Sequence, residues 1–120
     1  MPRKISRTTL RNKLDKICRE KTRAIGKCMV CGNTETLQTH HVIGRRNLQV
    51  RWYIDNLVCL CSLHHTFGIK SAHQDPTWFT DWYKDHIGEE RYTELRRRAN
   101  LTDKIYDHDL MTLLEEWEAM

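Results

Sequence analysis

Two short pairs, Cys28-Met29-Val30-Cys31 and Cys61-Ser62-Leu63-His64, each place two metal-ligating side chains three positions apart. Thiolates and imidazoles at that spacing reach back to one ion, and two such pairs complete a closed tetrahedral set. The pattern predicts a structural zinc ion on Cys28, Cys31, Cys61 and His64. It also constrains the fold, because two segments distant in sequence must meet at the metal. An ion with four protein ligands has no position left for a substrate, so its work is to fix the chain.

A chain of 120 residues that is 39% hydrophobic and 30% charged has a lean core, and a metal clip would help it hold its shape. The length fits one domain, with helical appendages at most. Five cysteines, an odd number, argue against a disulfide framework and for a reducing compartment. Cys59, two residues before Cys61, is a rival zinc ligand, but it lies in the apolar run Leu57–Leu60 and reads as a small buried hydrophobe. Cys18 reads as core for the same reason. No run is long enough for a membrane span, and the first residues lack the apolar stretch of a signal peptide.

Charge divides the chain into three. Residues 1–27 carry ten Lys/Arg against two acids, residues 28–73 are nearly balanced, and residues 74–120 carry twelve acids against six bases. We therefore expect a basic N-terminal helical arm (1–26), a metal-bound module (27–74) and a helical C-terminal extension (75–120), in one compact domain. The arm reads as an amphipathic helix over 7–25, with Leu10, Leu14, Ile17, Cys18 and Ile25 on one stripe and Gly26 as its stop. In the module we expect a strand through Leu37–Ile43, a loop rich in arginine, a second strand at Leu57–Cys61 and a short helix from Ser62. Asp75-Pro76 starts a helix that Gly88 ends, a second runs over 89–99, and a third over 108–119. The fold class is α+β.

His40 and His41 stand side by side at the end of an apolar-alternating stretch. Neighbours on a strand face opposite ways, so the two rings cannot share one task. Together with Asn56 and His65, and with "HHVIGRRN", "RWYIDNLVCLC" and the two zinc pairs around them, they resemble the His-Asn-His (HNH) endonucleases. The resemblance is to the zinc-containing type encoded by phages and prophages, and it covers about residues 28–73. It implies a small zinc-stabilised ββα-metal module flanked by N- and C-terminal helices, and hydrolysis of DNA phosphodiesters with one divalent ion, Mg²⁺ or Mn²⁺. It implies that His40 and His65 are ligands of that ion, that His41 is the general base and that Asn56 orients the loop and the base. It implies, too, the cytoplasm of a bacterial host. One position departs from the pattern. Where a further ligand is common, four residues after His65, the chain has Ile69. His73 is the substitute, although on a straight helix it would sit about 12 Å from His65. Gly68 could end the helix and let the chain curl back. His86 and His108 match nothing and read as ordinary.

Arg45, Arg46 and Arg51 occupy the loop between the strands, where guanidinium groups suit phosphate. The alternative is a solvated loop with Arg51 paired to Asp55. Trp52 reads as packing. Arg7, Arg11 and the other bases of the arm, Arg3 and Lys4 included, form a face suited to the DNA backbone, which gives affinity without sequence choice. Trp78 with Trp82 and Phe79 with Tyr83 read as helix packing. The acidic tail should avoid DNA, and it reads as a shield or a protein contact. Two other functions fit less of the chain. A non-catalytic zinc-stabilised nucleic-acid-binding module needs only the zinc ligands and the basic arm. A partner in a phage assembly needs the acidic tail to bind a protein.

Overall fold

A computed structural model describes residues 5–120. Arg3 and Lys4 of the basic arm lie outside the described residues. Helix α1 spans Arg7–Arg23, and Ser6 caps it by accepting the Thr9 N–H at 3.1 Å. Its buried stripe, Leu10, Leu14, Cys18 and Thr22, repeats every four residues and so lies along one side. The helix stops two residues earlier than its apolar pattern extends, and Gly26 at φ +83° turns the chain.

Strands β1 (Leu37–His41) and β2 (Leu57–Cys61) form an antiparallel hairpin in which His40 stands opposite Val58 and His41 opposite Leu57. The expectation of a strand through Ile43 is corrected here, for a local reason. The N–H of Val42 goes to the backbone oxygen of Asn56 and that of Ile43 to its side-chain oxygen, so neither continues the ladder. All five residues of β2 are buried because both faces of the hairpin are covered. Val58 and Leu60 join a core with Phe79, Tyr83 and Leu95. Leu57 joins a second core with Leu10, Leu14, Cys18, Trp52, Leu110 and Trp117.

The segment after β2 is a single π-type turn, Leu63–Phe67, and not the short α-helix expected from Ser62. The Gly68 N–H closes it on the Leu63 carbonyl at 2.7 Å. Helix α2 (Pro76–Ile87) starts at Asp75, whose carboxylate accepts the Trp78 N–H at 3.1 Å, and Gly88 at φ +91° passes the chain to α3 (Glu89–Ala99). Helix α4 (Asp107–Ala119) lies along α1 in the same direction. Arg7 meets Asp107 at 2.9 Å at one end, and the Lys21 ammonium donates to the Met120 carbonyl at the other. No helix among the described residues is long and apolar enough to cross a membrane.

The architecture is α+β, a two-stranded hairpin and its helices with further helices on both sides. Five-residue strands in a two-stranded sheet are too little to be stable alone. The helices on both faces and the ligand cluster at the hairpin supply the rest.

Candidate metal centres and the strand between them

The first cluster joins Cys28 and Cys31 of the turn before β1 to Cys61, at the end of β2, and His64 of the π turn. Their ligand atoms all lie within 4.8 Å of one another. Zinc bonds of about 2.3 Å to sulfur and about 2.0–2.1 Å to nitrogen give tetrahedral edges of about 3.8 Å (S–S) and about 3.6 Å (S–N). Here Cys31 and Cys61 Sγ are 3.8 Å apart, and His64 Nδ1 is 3.4 Å from Cys61 Sγ and 3.9 Å from Cys28 Sγ. The set is compatible with structural zinc. Burial pushes the Cys28 thiol up, but backbone N–H groups of Cys61, Cys31 and Val30 outweigh it and hold the thiol below its usual range. Cys59, fully buried within β2, is not one of the four.

The second cluster is His40, His65 and His73, again with ligand atoms within 4.8 Å of one another. The π turn accounts for the meeting of His65 with His73. After Gly68 the chain doubles back, so that the N–H groups of Ala72 and His73 reach the carbonyls of His64 and His65 at 2.8 and 3.1 Å. His73 then lies beside His65, and the 12 Å separation of a straight helix does not arise. His65 Nδ1 is 2.6 Å from the amide oxygen of Gln38 and donates to it. That bond fixes the tautomer and turns the Nε2 lone pair inward, 3.2 Å from His73 Nε2. Two nitrogen ligands at about 2.05 Å on a tetrahedral ion would be about 3.3 Å apart. Burial, with the neighbouring rings of His65, His73 and His41, pulls His40 down to about 3. Burial lowers His65 as well. Both rings are thus neutral at pH 7, the form that ligates.

These three residues could hold a metal ion. The donor set is all imidazole nitrogen, which suits Zn²⁺, Ni²⁺, Co²⁺ or Cu²⁺ better than an oxygen-seeking ion. The expectation of Mg²⁺ has no carboxylate or carbonyl ligand to rest on in this cluster.

His41 faces the other way. With Thr39, Asp15, Cys18, Arg19 and Arg45 it lines a cavity of about 150 Å³ between β1 and α1. Burial lowers its pKa, the guanidinium groups of Arg45 and Arg51 lower it further, and Asp15 and a backbone hydrogen bond to Arg51 oppose them. Between the two faces sits Asn56, fully buried, its amide donating to the Ile43 carbonyl at 3.0 Å and accepting the Ile43 N–H at 2.7 Å. The pair of bonds ties the exit of β1 to the entrance of β2.

Arg51 is not paired with Asp55, which meets Arg91 instead at 2.5 Å. Arg51 donates through Nε (3.0 Å) and Nη2 (2.7 Å) to Asp15 of α1, which also takes the Trp52 indole N–H at 2.8 Å and Arg45 at 3.3 Å. Trp52 is buried in the core with Leu10 and Leu14. Arg7 is held by Asp107, whereas Arg11 and Arg46 have no ion pair among the described residues. His86 stacks on Trp82, and His108 on Tyr106.

Two residues that matter to the site escaped the sequence reading. Gln38 stands two positions before His40 and so on its face of β1, a placement that strand alternation alone gives. Asp15 is the one acid between Arg7 and Arg19 and adjoins the apolar stripe at Leu14, a position that invites a buried ion pair. Compared with protein-family models, with curated proteins and with solved structures, the chain matches none.

Proposed function

We propose that the protein is a metal-dependent endonuclease of the HNH type that hydrolyses DNA phosphodiester bonds, nicking or cutting to leave 5′-phosphate and 3′-hydroxyl ends. The observation that carries this reading is the convergence of His40, His65 and His73 at metal-ligand separations, one strand position from a partly buried His41. A divalent ion bound by the three imidazoles would supply a Lewis acid to a phosphate oxygen. His41 acts on the other side of the strand end. Its neutral ring takes a proton from water as the water oxygen bonds to phosphorus, and the P–O3′ bond breaks on the opposite side, leaving its electron pair on O3′, which takes a proton from solvent to become the 3′-hydroxyl. Asn56 keeps the end of β1 in place, so that His40 and His41 hold fixed positions. Zinc on Cys28, Cys31, Cys61 and His64 is structural and brings the π turn, with His65, to β1.

The test is plasmid nicking by the zinc-loaded protein with Mg²⁺, Mn²⁺, Co²⁺, Ni²⁺ or added Zn²⁺. Wild type should nick with at least one of these ions. His41→Ala should lose at least about 100-fold, the lower end of general-base contributions, while keeping zinc and DNA binding. Equal nicking by the two proteins would remove His41 from the mechanism. DNA binding without nicking under every ion would favour the non-catalytic module, for which the zinc ligands and basic surface suffice. A protein partner for the acidic tail belongs to either reading.

A further inference from the structure

The cavity beside His41 shares a wall residue with a second one. The shared residue is Arg45, which lines that second cavity, of about 470 Å³, with Arg11, Arg46, Leu48 and Arg51. Four of those five residues are arginines and none is an acid. The nearest carboxylate, Asp15, is already saturated by Arg51, Arg45 and the Trp52 indole. Arg51 is largely buried and commits Nε and Nη2 to Asp15 and Nη1 to the Arg45 carbonyl at 3.3 Å, so it braces the loop and adds positive field, whereas Arg45 gives Asp15 a single 3.3 Å bond and stays exposed. Arg11, on α1, and Arg46, on the loop, face the cavity without an ion-pair partner among the described residues. On the far side, Arg46 and Leu48 also line a larger cavity of about 1060 Å³, where Asp103 and Asp107 face Arg7 and Lys104. The two carboxylates there offset two of the three bases, so the pull on an anion weakens.

We infer that the cleft between α1 and residues 45–51 binds the phosphodiester backbone of DNA that runs on from His41, with Arg11, Arg45 and Arg46 as its phosphate contacts. The inference rests on the nuclease reading only for what happens at His41; the binding needs no cleavage. A guanidinium presents paired donors to phosphate oxygens, and three of them around a concave wall hold consecutive phosphates without reading the bases. The resemblance stated from the sequence does not reach α1, so this half of the cleft belongs to the chain's own flank. It also gives the basic arm a definite task. On α1, Arg7 is tied to Asp107, and Arg11 is turned to the cleft.

The experiment is fluorescence anisotropy with labelled duplex DNA at several salt concentrations. It uses zinc-loaded His41→Ala protein, so that cleavage cannot confuse binding. Release of about 0.9 counter-ion per contact makes each contact worth about eightfold between 1 M and 0.1 M salt. Adding Arg11→Ala and Arg46→Ala should weaken binding about 60-fold at 0.1 M and lower the log–log salt slope by about two. Arg96→Ala with Arg97→Ala on α3 removes the same charge elsewhere. An equal loss from that pair would mean net charge alone is at work and would overturn the inference, as would an unchanged slope in the Arg11/Arg46 variant. Millimolar inorganic phosphate should not displace the DNA; full displacement would make the cleft a small-anion site and refute a nucleic-acid track. Circular dichroism confirms that each variant is folded. Nicking by wild type with no effect of the arginines would sink this inference alone, and the arginine effect without nicking would sink the nuclease reading alone.

Discussion

Gly68→Ala is a one-atom perturbation that should scatter the three-histidine cluster. Gly68 has φ −77°, an ordinary value, so backbone strain is not the issue. The issue is space. A Cβ at this position would lie 2.7 Å from the Leu63 carbonyl oxygen and 3.1–3.2 Å from the Leu63 side chain. Ordinary C···O contacts begin at about 3.3 Å. The carbonyl must therefore retreat by about 0.6 Å or more. It is also the acceptor that closes the π turn on the Gly68 N–H, so it cannot move without loosening that turn. Overpacking of this kind costs about 1–3 kcal/mol, a loss the fold should survive. The site is less tolerant, because ligand geometry must hold to about 0.5 Å. Displacing His73 leaves His40 and His65 as the protein ligands, and affinity for the second ion should fall by at least the 10- to 100-fold typical of even outer-shell losses. Co²⁺ titration followed by its d–d absorption measures this, on protein whose cysteine site is already filled with zinc. Gly68→Ala and His73→Ala should weaken Co²⁺ binding alike, and zinc content should stay at one ion in both. Wild-type Co²⁺ affinity in Gly68→Ala would refute the idea that the tight turn assembles the site.

Removing structural zinc, by chelation or by Cys61→Ser, should abolish the cooperative melt seen by circular dichroism, because the hairpin has no other tie to the Cys28–Cys31 turn of comparable strength. Asn56→Ala empties a fully buried site and leaves the partly buried Ile43 N–H and carbonyl without partners, and it should cost about 2–4 kcal/mol by urea unfolding. Asn56→Asp keeps the acceptor but sets a carboxylate against the Ile43 carbonyl, and should recover little of that loss. Asp15→Asn should destabilise by about 1–2 kcal/mol at pH 7, discounted for the solvated rim of its ion pairs. Burial raises the Asp15 pKa, but hydrogen bonds from Arg51 and Trp52 and the charges of Arg51 and Arg45 outweigh it, so the net shift is downward. The stabilisation is therefore complete above the unfolded value of about 3.9 and is lost as pH falls through the lower folded value. The gap between the melting temperatures of wild type and Asp15→Asn should be constant from pH 7 to 5 and close below pH 4.

The helices and the hairpin were legible because each has a local cause. Asp75-Pro76 sets α2, Gly88 separates it from α3, and the four-residue stripe Leu10, Leu14, Cys18 is on α1 whatever it packs against. The quartet Cys28, Cys31, Cys61 and His64 was legible because ligand spacing is itself local. Two things were not. The π turn depends on a hydrogen bond from Gly68 to Leu63 that no periodicity encodes, and without it the place of His73 is ambiguous. The ion-pair partner of Arg51 was not legible: Asp55, the alternative the sequence offers, is close along the chain, while Asp15 is close only once α1 has docked through Leu10, Leu14 and Trp52. Long-range pairs of this kind follow from packing, and packing is set by both cores at once.

That docking also explains how a chain with so little sheet can gather two unlike clusters of metal-ligating side chains. β1 has a cysteine-rich turn before it and Asn56 holding its exit, so its rotation about its own axis is fixed at both ends. Alternation then does the rest. Gln38 and His40 go to the face that carries His65 and His73, and Thr39 and His41 to the face that carries α1. The ligand face is lined by imidazole and an amide and holds no acid in its cluster, so it favours a nitrogen-seeking ion. The α1 face is lined by guanidinium groups whose one nearby acid is saturated, so it favours an anion. In the proposed nuclease, a cation site and an anion site on opposite sides of one strand end would let a phosphodiester be gripped and polarised together. Shifting β1 by one residue would exchange the two faces, and with them both preferences. In the proposed nuclease, the Cys28–Cys31–Cys61–His64 cluster and Asn56 are therefore as necessary as the histidines whose positions they set.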